Sequence, residues 1–112
     1  MVASYIPDRG DIVWLDFNPQ LGHEQAGTRP ALVISPLAYN EKSGLMLACP
    51  ITSKVKGYPF EVRIKAKKID GSVLADQIKS LDWRARKPVF GVRANHEVTT
   101  RTQGLIESLV RG

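Results

Sequence analysis

Nine consecutive residues, Gly22-His23-Glu24-Gln25-Ala26-Gly27-Thr28-Arg29-Pro30, gather an imidazole, a carboxylate, an amide, a hydroxyl and a guanidinium beside two glycines and a proline. Glycines allow close backbone approach to a ligand, and polar side chains on a loop beside an apolar strand suit binding or catalysis. Pro30 holds Arg29 extended, so the guanidinium projects from the entrance of the next strand in a fixed direction. A second such place is Pro50-Ile51-Thr52-Ser53, where an apolar run ends and Thr52 sets a hydroxyl at the start of a loop. A base, a proton donor and a fixed cation together meet the needs of phosphodiester cleavage by a neighbouring hydroxyl, with no metal required. General acid–base assistance supplies roughly 10²- to 10⁴-fold, and preorganised donors as much or more. A plain structural turn accounts for the same loop composition, so the residue types alone leave both readings open.

Histidine, the usual acid–base group near neutral pH, occurs only at His23 and His96. His96 stands where a helix begins, a place for capping or solvation, whereas His23 is a candidate base. Cys49 is the only cysteine and sits in the apolar run from Leu45 to Ile51, which reads as a buried thiol and excludes an intramolecular disulfide. His and Cys are too few for zinc-ligand spacing and the carboxylates are scattered, so neither a metal nor a cofactor is expected.

The net charge of +5 suits a polyanionic partner, and its distribution is uneven. Residues 1 to 53 hold three Lys/Arg against five Asp/Glu, residues 54 to 87 ten against four, and residues 88 to 112 three against two. The central run Lys54, Lys56, Arg63, Lys65, Lys67 and Lys68 reads either as a solvated edge that resists aggregation or as a set of phosphate contacts.

These groups must be held by short strands, because glycine and proline punctuate brief apolar runs along the chain. Asp11 to Phe17 alternates Ile12, Trp14 and Asp16 against Val13, Leu15 and Phe17, the pattern of a strand with one well-buried face, opened by Gly10 and ended by Pro19. Ala31 to Ile34 and Leu45 to Ile51 are two more strands, joined by a short helix that starts at Ser35-Pro36. A further strand covers about Phe60 to Ile64, Asp70-Gly71 signals a turn, and Ser72 to Ile78 and Val89 to Val92 supply the rest. The period then changes. Val98, Thr102, Leu105, Ile106 and Leu109 recur at helical spacing, with Asn95 placed to cap and Glu97 near the positive end of the dipole. Gly104 inside that helix predicts a close packing contact. Several short strands followed by one helix predict a mainly β fold, a small curved sheet or barrel closed by the C-terminal α-helix. With 112 residues, 43% of them hydrophobic and 24% charged, the chain is sized for one folded domain, 1–112. No signal-peptide core is visible and no stretch nears the roughly 18 apolar residues that cross a bilayer, so a cytoplasmic protein without a membrane partner is expected.

Four blocks resemble the MazF branch of the MazF/PemK toxin family in order and spacing: Tyr5 to Phe17, Gly22 to Pro30, Lys56-Gly57-Tyr58-Pro59-Phe60-Glu61-Val62, and Leu74 to Arg86. The helix after them fits more loosely. The resemblance implies an SH3-like barrel of the MazF/PemK/CcdB toxin type that forms a homodimer. It implies a metal-independent, sequence-selective endoribonuclease that cuts single-stranded RNA to a 2′,3′-cyclic phosphate and a 5′-hydroxyl, held in check by an acidic, partly disordered MazE-like antitoxin. Arg29 and Thr52 match positions that the family uses for catalysis, Glu24 and Gln77 match positions tied to activity or RNA contact, and His23 stands where serine occurs in relatives. A guanidinium holds its proton too firmly to be a ready base. Arg29 is therefore read mainly as a clamp on the phosphorane and secondarily as a proton donor, with Glu24 or His23 as candidate bases. RNA contact is expected of His23, Gln25, Lys54, Lys56, Tyr58, Gln77, Lys79, Arg84 and Arg86. Trp14 reads as core, while Trp83 either stacks on a base or belongs to the core or a dimer contact. Two rival functions remain: a topoisomerase-binding toxin of the same barrel class without nuclease activity, and a noncatalytic RNA-binding module.

Overall fold

The computed structural model describes residues 5–17 and 28–112. Its elements run β1 (Asp11–Asp16), β2 (Thr28–Val33), α1 (Leu37–Ser43), β3 (Leu45–Thr52), β4 (Glu61–Ala66), β5 (Ile69–Leu74), a 3₁₀ turn (Ala75–Gln77), β6 (Lys79–Asp82), α2 (Trp83–Arg86), β7 (Val89–Arg93) and α3 (His96–Arg111). Every strand pairing is antiparallel, in the order β4-β5-β3-β2-β1-β7. One edge of β3 is shared, its first half pairing with β6 at Leu45 to Ala48 and its end with β5 at Ile51 and Thr52. The sheet curls into a half-barrel with α3 packed over one face. Among the described residues β4 and β7 do not pair, so the barrel expected from the sequence stays open on that side.

The predicted single buried face of β1 is corrected by the structure. Ile12 and Val13 are both fully buried although they point to opposite faces. Ile12 joins Leu32, Cys49, Val62 and Val73 beneath α3, whose Val98, Leu105 and Ile106 pack against that cluster. Val13 and Leu15 join Ala31, Val33, Met46 and Trp83 on the other face, covered by Tyr5 and Ile6. Each such side chain contributes roughly 1.5–3 kcal/mol when fully buried, so burial on both faces penalises any slip of register.

Other expectations shift in position. The hairpin between β4 and β5 turns at Lys67-Lys68, with Lys67 left-handed at φ 49°, and Asp70-Gly71 lies within β5. Gly71 serves close approach instead, because a Cβ there would stand 2.0 Å from the Thr52 carbonyl oxygen. The predicted strand from Ser72 to Ile78 breaks after Leu74, where the chain passes through the 3₁₀ turn to reach the other half of β3. Gly104 also differs: among the described residues nothing lies within 4 Å of where its Cβ would be, so none of them supplies the expected packing contact. Leu109 is exposed, which shortens the apolar stripe of α3 to Val98, Leu105 and Ile106 around the buried Thr102. Asn95 caps α3 as predicted, its Oδ1 accepting from Glu97 N at 2.8 Å. The expected end of β1 at Pro19 lies outside the described residues.

A buried polar hub fixes the N-terminal segment. Asn40, fully buried, donates through Nδ2 to the carbonyls of Pro7 at 2.7 Å and Ser35 at 3.0 Å, and its own carbonyl accepts from Trp83 Nε1 at 2.8 Å. Asp11 Oδ2 accepts from the Tyr5 hydroxyl and Asp8 N, while its Oδ1 pairs with Arg93 Nη1 at 2.8 Å.

Candidate active site

The β2–β3 ladder ends at Ala31 opposite Pro50. Continuing that register by two residues would set Arg29 opposite Thr52, but the strands part instead. Pro30 and Pro50 stand at the point of parting, and neither has an N–H to extend a ladder. Beyond it β3 pairs with β5 at Ile51 and Thr52, and β2 stays with β1 through Pro30↔Trp14 and Arg29↔Leu15. The gap is a cleft of about 460 Å³ whose walls include Trp14, Arg29, Thr52, Lys54 and Lys68. Arg29 and Thr52 are half-buried in it, with the basic side chains nearby. Thr52 Oγ1 accepts from Lys54 N at 3.1 Å, which turns the chain and leaves the hydroxyl proton available for donation. Gly71 lets β5 press against the Thr52 carbonyl and so holds this residue from behind. Gly91 does the same for Trp14, since a Cβ there would stand 2.7 Å from the indole Nε1.

A second cleft of about 460 Å³ continues from the first through Thr52 and Lys54, and is lined further by Lys56, Tyr58, Glu61 and Gln77. Its outer wall is shaped by Glu61, whose Oε1 accepts from the amides of Lys56 at 3.2 Å and Gly57 at 3.0 Å. Lys56 Nζ lies 5.8 Å from the centroid of the exposed Tyr58 ring. Tertiary structure thus brings Arg29, Thr52, Lys54, Lys56, Tyr58 and Gln77 to one continuous groove. An aromatic face beside cations, next to a clamped hydroxyl, can seat a base and its phosphates.

Other predicted residues lie elsewhere. Lys79 Nζ sits 5.7 Å from the Phe17 ring centroid, Arg84 stacks on Trp83 at 5.3 Å and donates to the Glu41 carbonyl, and Arg86 Nη1 donates to Asp16 O at 2.8 Å. These three line neither cleft and gather on the face that carries Phe17 and Trp83, because β6 and α2 attach to the first half of β3. Trp83 itself is buried and hydrogen-bonded, which settles it as core. His23, Glu24 and Gln25 lie outside the described residues. Trp14, read as core from the sequence, is half-buried and packs on the core while its other side lines the cleft; Lys68 and Glu61 are cleft residues given no site role from the sequence, and only the β4–β5 turn carries Lys68 to Arg29. Cys49 is fully buried, and burial followed by the charge of Asp76 pushes its thiol up to about 12. Among the described residues no three His, Cys, Asp or Glu side chains converge as metal ligands, and no helix is long and apolar enough to cross a membrane.

Comparison with known proteins agrees with this architecture. Residues 8–109 match the family described as PemK-like, MazF-like toxin of type II toxin-antitoxin system. The chain is 56% identical over 86 residues to the endoribonuclease toxin MazF of Escherichia coli K12, covering 77% of this chain and 78% of that protein. It is 36% identical to the endoribonuclease toxin ChpB of the same organism, over 96% of this chain and all of that one. The crystal structure of MazF from Deinococcus radiodurans superposes with a TM-score of 0.87 at 52% identity, over 97% of this chain and 100% of that chain. A MazE-MazF structure from that organism superposes with a TM-score of 0.88 at 52% identity, over 96% and 98% of the two chains. The half-barrel and these likenesses agree, and the chain belongs to the PemK-like, MazF-like toxin family of type II toxin–antitoxin systems.

Proposed function

We infer that this chain is an endoribonuclease, the toxin of a toxin–antitoxin pair, and that it cuts single-stranded RNA at selected sequences without a metal. The observation that carries the reading is the Arg29–Thr52 cleft at the parted ends of β2 and β3, with Lys54 and Lys68 beside it. In the reaction the 2′-oxygen attacks the adjacent phosphorus, the bond to the 5′-oxygen breaks, and the products are a 2′,3′-cyclic phosphate and a 5′-hydroxyl. Arg29 clamps the equatorial oxygens of the phosphorane, where a preorganised cation is worth most. Thr52 donates a hydrogen bond to the same phosphate. Glu24 or His23 takes the 2′-hydroxyl proton, and the departing 5′-oxygen receives a proton from Arg29 or from water, which completes the 5′-hydroxyl. Lys54, Lys56, Tyr58 and Gln77 hold the flanking nucleotides, and His23 and Gln25 contact RNA from the preceding loop. Lys79, Arg84 and Arg86 meet the RNA backbone farther from the cut.

The active species is a cytoplasmic homodimer of one-domain chains, silenced by an acidic MazE-like antitoxin that covers the basic groove. The relatives named above are endoribonucleases, so the topoisomerase-binding alternative is not supported. Incubation with a long unstructured RNA in excess EDTA, followed by mapping of the ends, tests the reading. Intact cleavage with cyclic-phosphate and 5′-hydroxyl ends is expected, and 5′-phosphate ends would refute the 2′-hydroxyl mechanism.

A further inference from the structure

A third cleft, of about 390 Å³, adjoins the Arg29–Thr52 cleft on the side away from Tyr58. Trp14, Lys68 and Ile69 line both cavities, and Lys67, Gly91 and Val92 complete the outer one. Its size falls within the roughly 300–1,000 Å³ of small-molecule sites. The lining is almost wholly apolar, an indole and aliphatic walls that include the stems of Lys67 and Lys68, and both lysines are exposed; such a surface takes a base by stacking, with the ammonium groups free to meet a phosphate at its edge. Gly91 is the reason the indole can sit there, since any Cβ would collide with it.

We propose that this cleft is a nucleotide subsite of the nuclease, receiving the residue that flanks the scissile phosphate on the side opposite the Lys56–Tyr58 loop. The base rests against Trp14 and Val92, and Lys67 pairs with its phosphate. The proposal rests on the nuclease reading and adds to it a track of three clefts in series, with Arg29 and Thr52 in the middle one. Continuity with the cleft that holds the scissile phosphate favours RNA here over an acidic peptide, which would need no such alignment.

The test combines a side chain with a nucleotide. RNAs carrying the mapped cut site are trimmed one nucleotide at a time from either end, and kcat/KM is measured for the parent, Lys67→Gly and Lys67→Arg. Glycine suits the left-handed backbone at this position, so the variant should fold, and circular dichroism confirms it. Loss of one particular flanking nucleotide should slow the parent roughly tenfold. Lys67→Gly should slow cleavage of the long RNA roughly five- to tenfold, Lys67→Arg should restore it, and the losses from variant and trimming should not add. Equal slowing of Lys67→Gly on every length, or none at all, overturns the subsite while the nuclease reading stands. If Lys67→Gly weakens only the antitoxin, the cleft holds a peptide and the proposal is wrong. A parent that cuts RNA of no length refutes the nuclease reading itself.

Discussion

Arg29 and Thr52 face the same cleft because two prolines end a ladder beside them, and their roles can be separated by substitution. Arg29→Ala removes a preorganised cation and should lower kcat by roughly 10²-fold or more. The fold should survive, since the residue stands at the start of β2 and is only half-buried; melting curves and single-turnover kinetics check both parts. A buried thiol and a half-buried phenol weaken the fold at alkaline pH. Burial holds the Cys49 thiol at about 12 in the folded chain against an ordinary value of 9.0. Burial, and then the hydrogen bond to Asp11, holds the Tyr5 phenol well above its ordinary value of 10.0. A folded-state value above the unfolded one means stability is intact below the unfolded value and declines as pH rises past it. Denaturation midpoints should therefore fall from about pH 9 upward, and Tyr5→Phe should flatten the part of the decline above about pH 10. A midpoint independent of pH between 8 and 11, roughly the span over which thiols and phenols ionise, would contradict this.

At the scale of elements, two glycines have opposite expected responses. Gly104 lies in α3 with open space where a Cβ would stand, so Gly104→Ala should stabilise the helix by about 0.5–1 kcal/mol. That is a rise of a few degrees in Tm for a domain of this size. Gly71 has the Thr52 carbonyl oxygen 2.0 Å from its Cβ position, so Gly71→Ala must push β5 away from β3 at Thr52. Overpacking of this kind costs about 1–3 kcal/mol. The variant should lose both Tm and kcat, whereas a loss of stability alone would show that Thr52 keeps its place. The hub at Asn40 is equally local in sequence and wide in reach, tying Pro7, Ser35 and Trp83 together across one face. Asn40→Ala leaves buried carbonyls without donors and should cost about 2–3 kcal/mol, measurable by urea denaturation.

For the whole molecule, charge and topology act together. Lys54, Lys56 and Lys68 line a groove assembled from β2, β3, the β3–β4 loop and the β4–β5 turn, while Lys79, Arg84 and Arg86 lie on another face. RNA affinity should fall steeply with salt, by a log–log slope of roughly 0.7 per neutralised phosphate. Lys56→Ala should reduce that slope by about one phosphate equivalent, and an unchanged slope would return Lys56 to a solvated role. An acidic antitoxin laid in the same groove would exclude RNA by occupancy and needs no second regulatory site. Titrating the protein encoded beside this chain into a cleavage assay should abolish RNA binding and cleavage together. Tight binding with cleavage unchanged would show that the antitoxin docks elsewhere.

Local pattern alone determined a good deal. The alternation in Asp11–Asp16, the β-branched runs of β2 and β3, and the cap at Asn95 before a helical period all depend on neighbours within a few residues, which is why they were legible. Pro30 likewise announced the direction of Arg29. The four blocks resembling MazF carried the family, because spacing of motifs survives in a linear text. Long-range choices were not written there. That Ile12 and Val13 are both buried follows from a second layer on each face of β1, and that Ser72 to Ile78 breaks follows from β5 and β6 sharing one edge of β3. Asp70-Gly71 has the composition of a turn, and only the approach of Thr52 shows that the glycine is there for space. The cleft itself is a tertiary fact: Arg29 and Thr52 meet because strand pairing stops between Pro30 and Ile51, and pairing is a property of two segments that no single stretch of sequence contains.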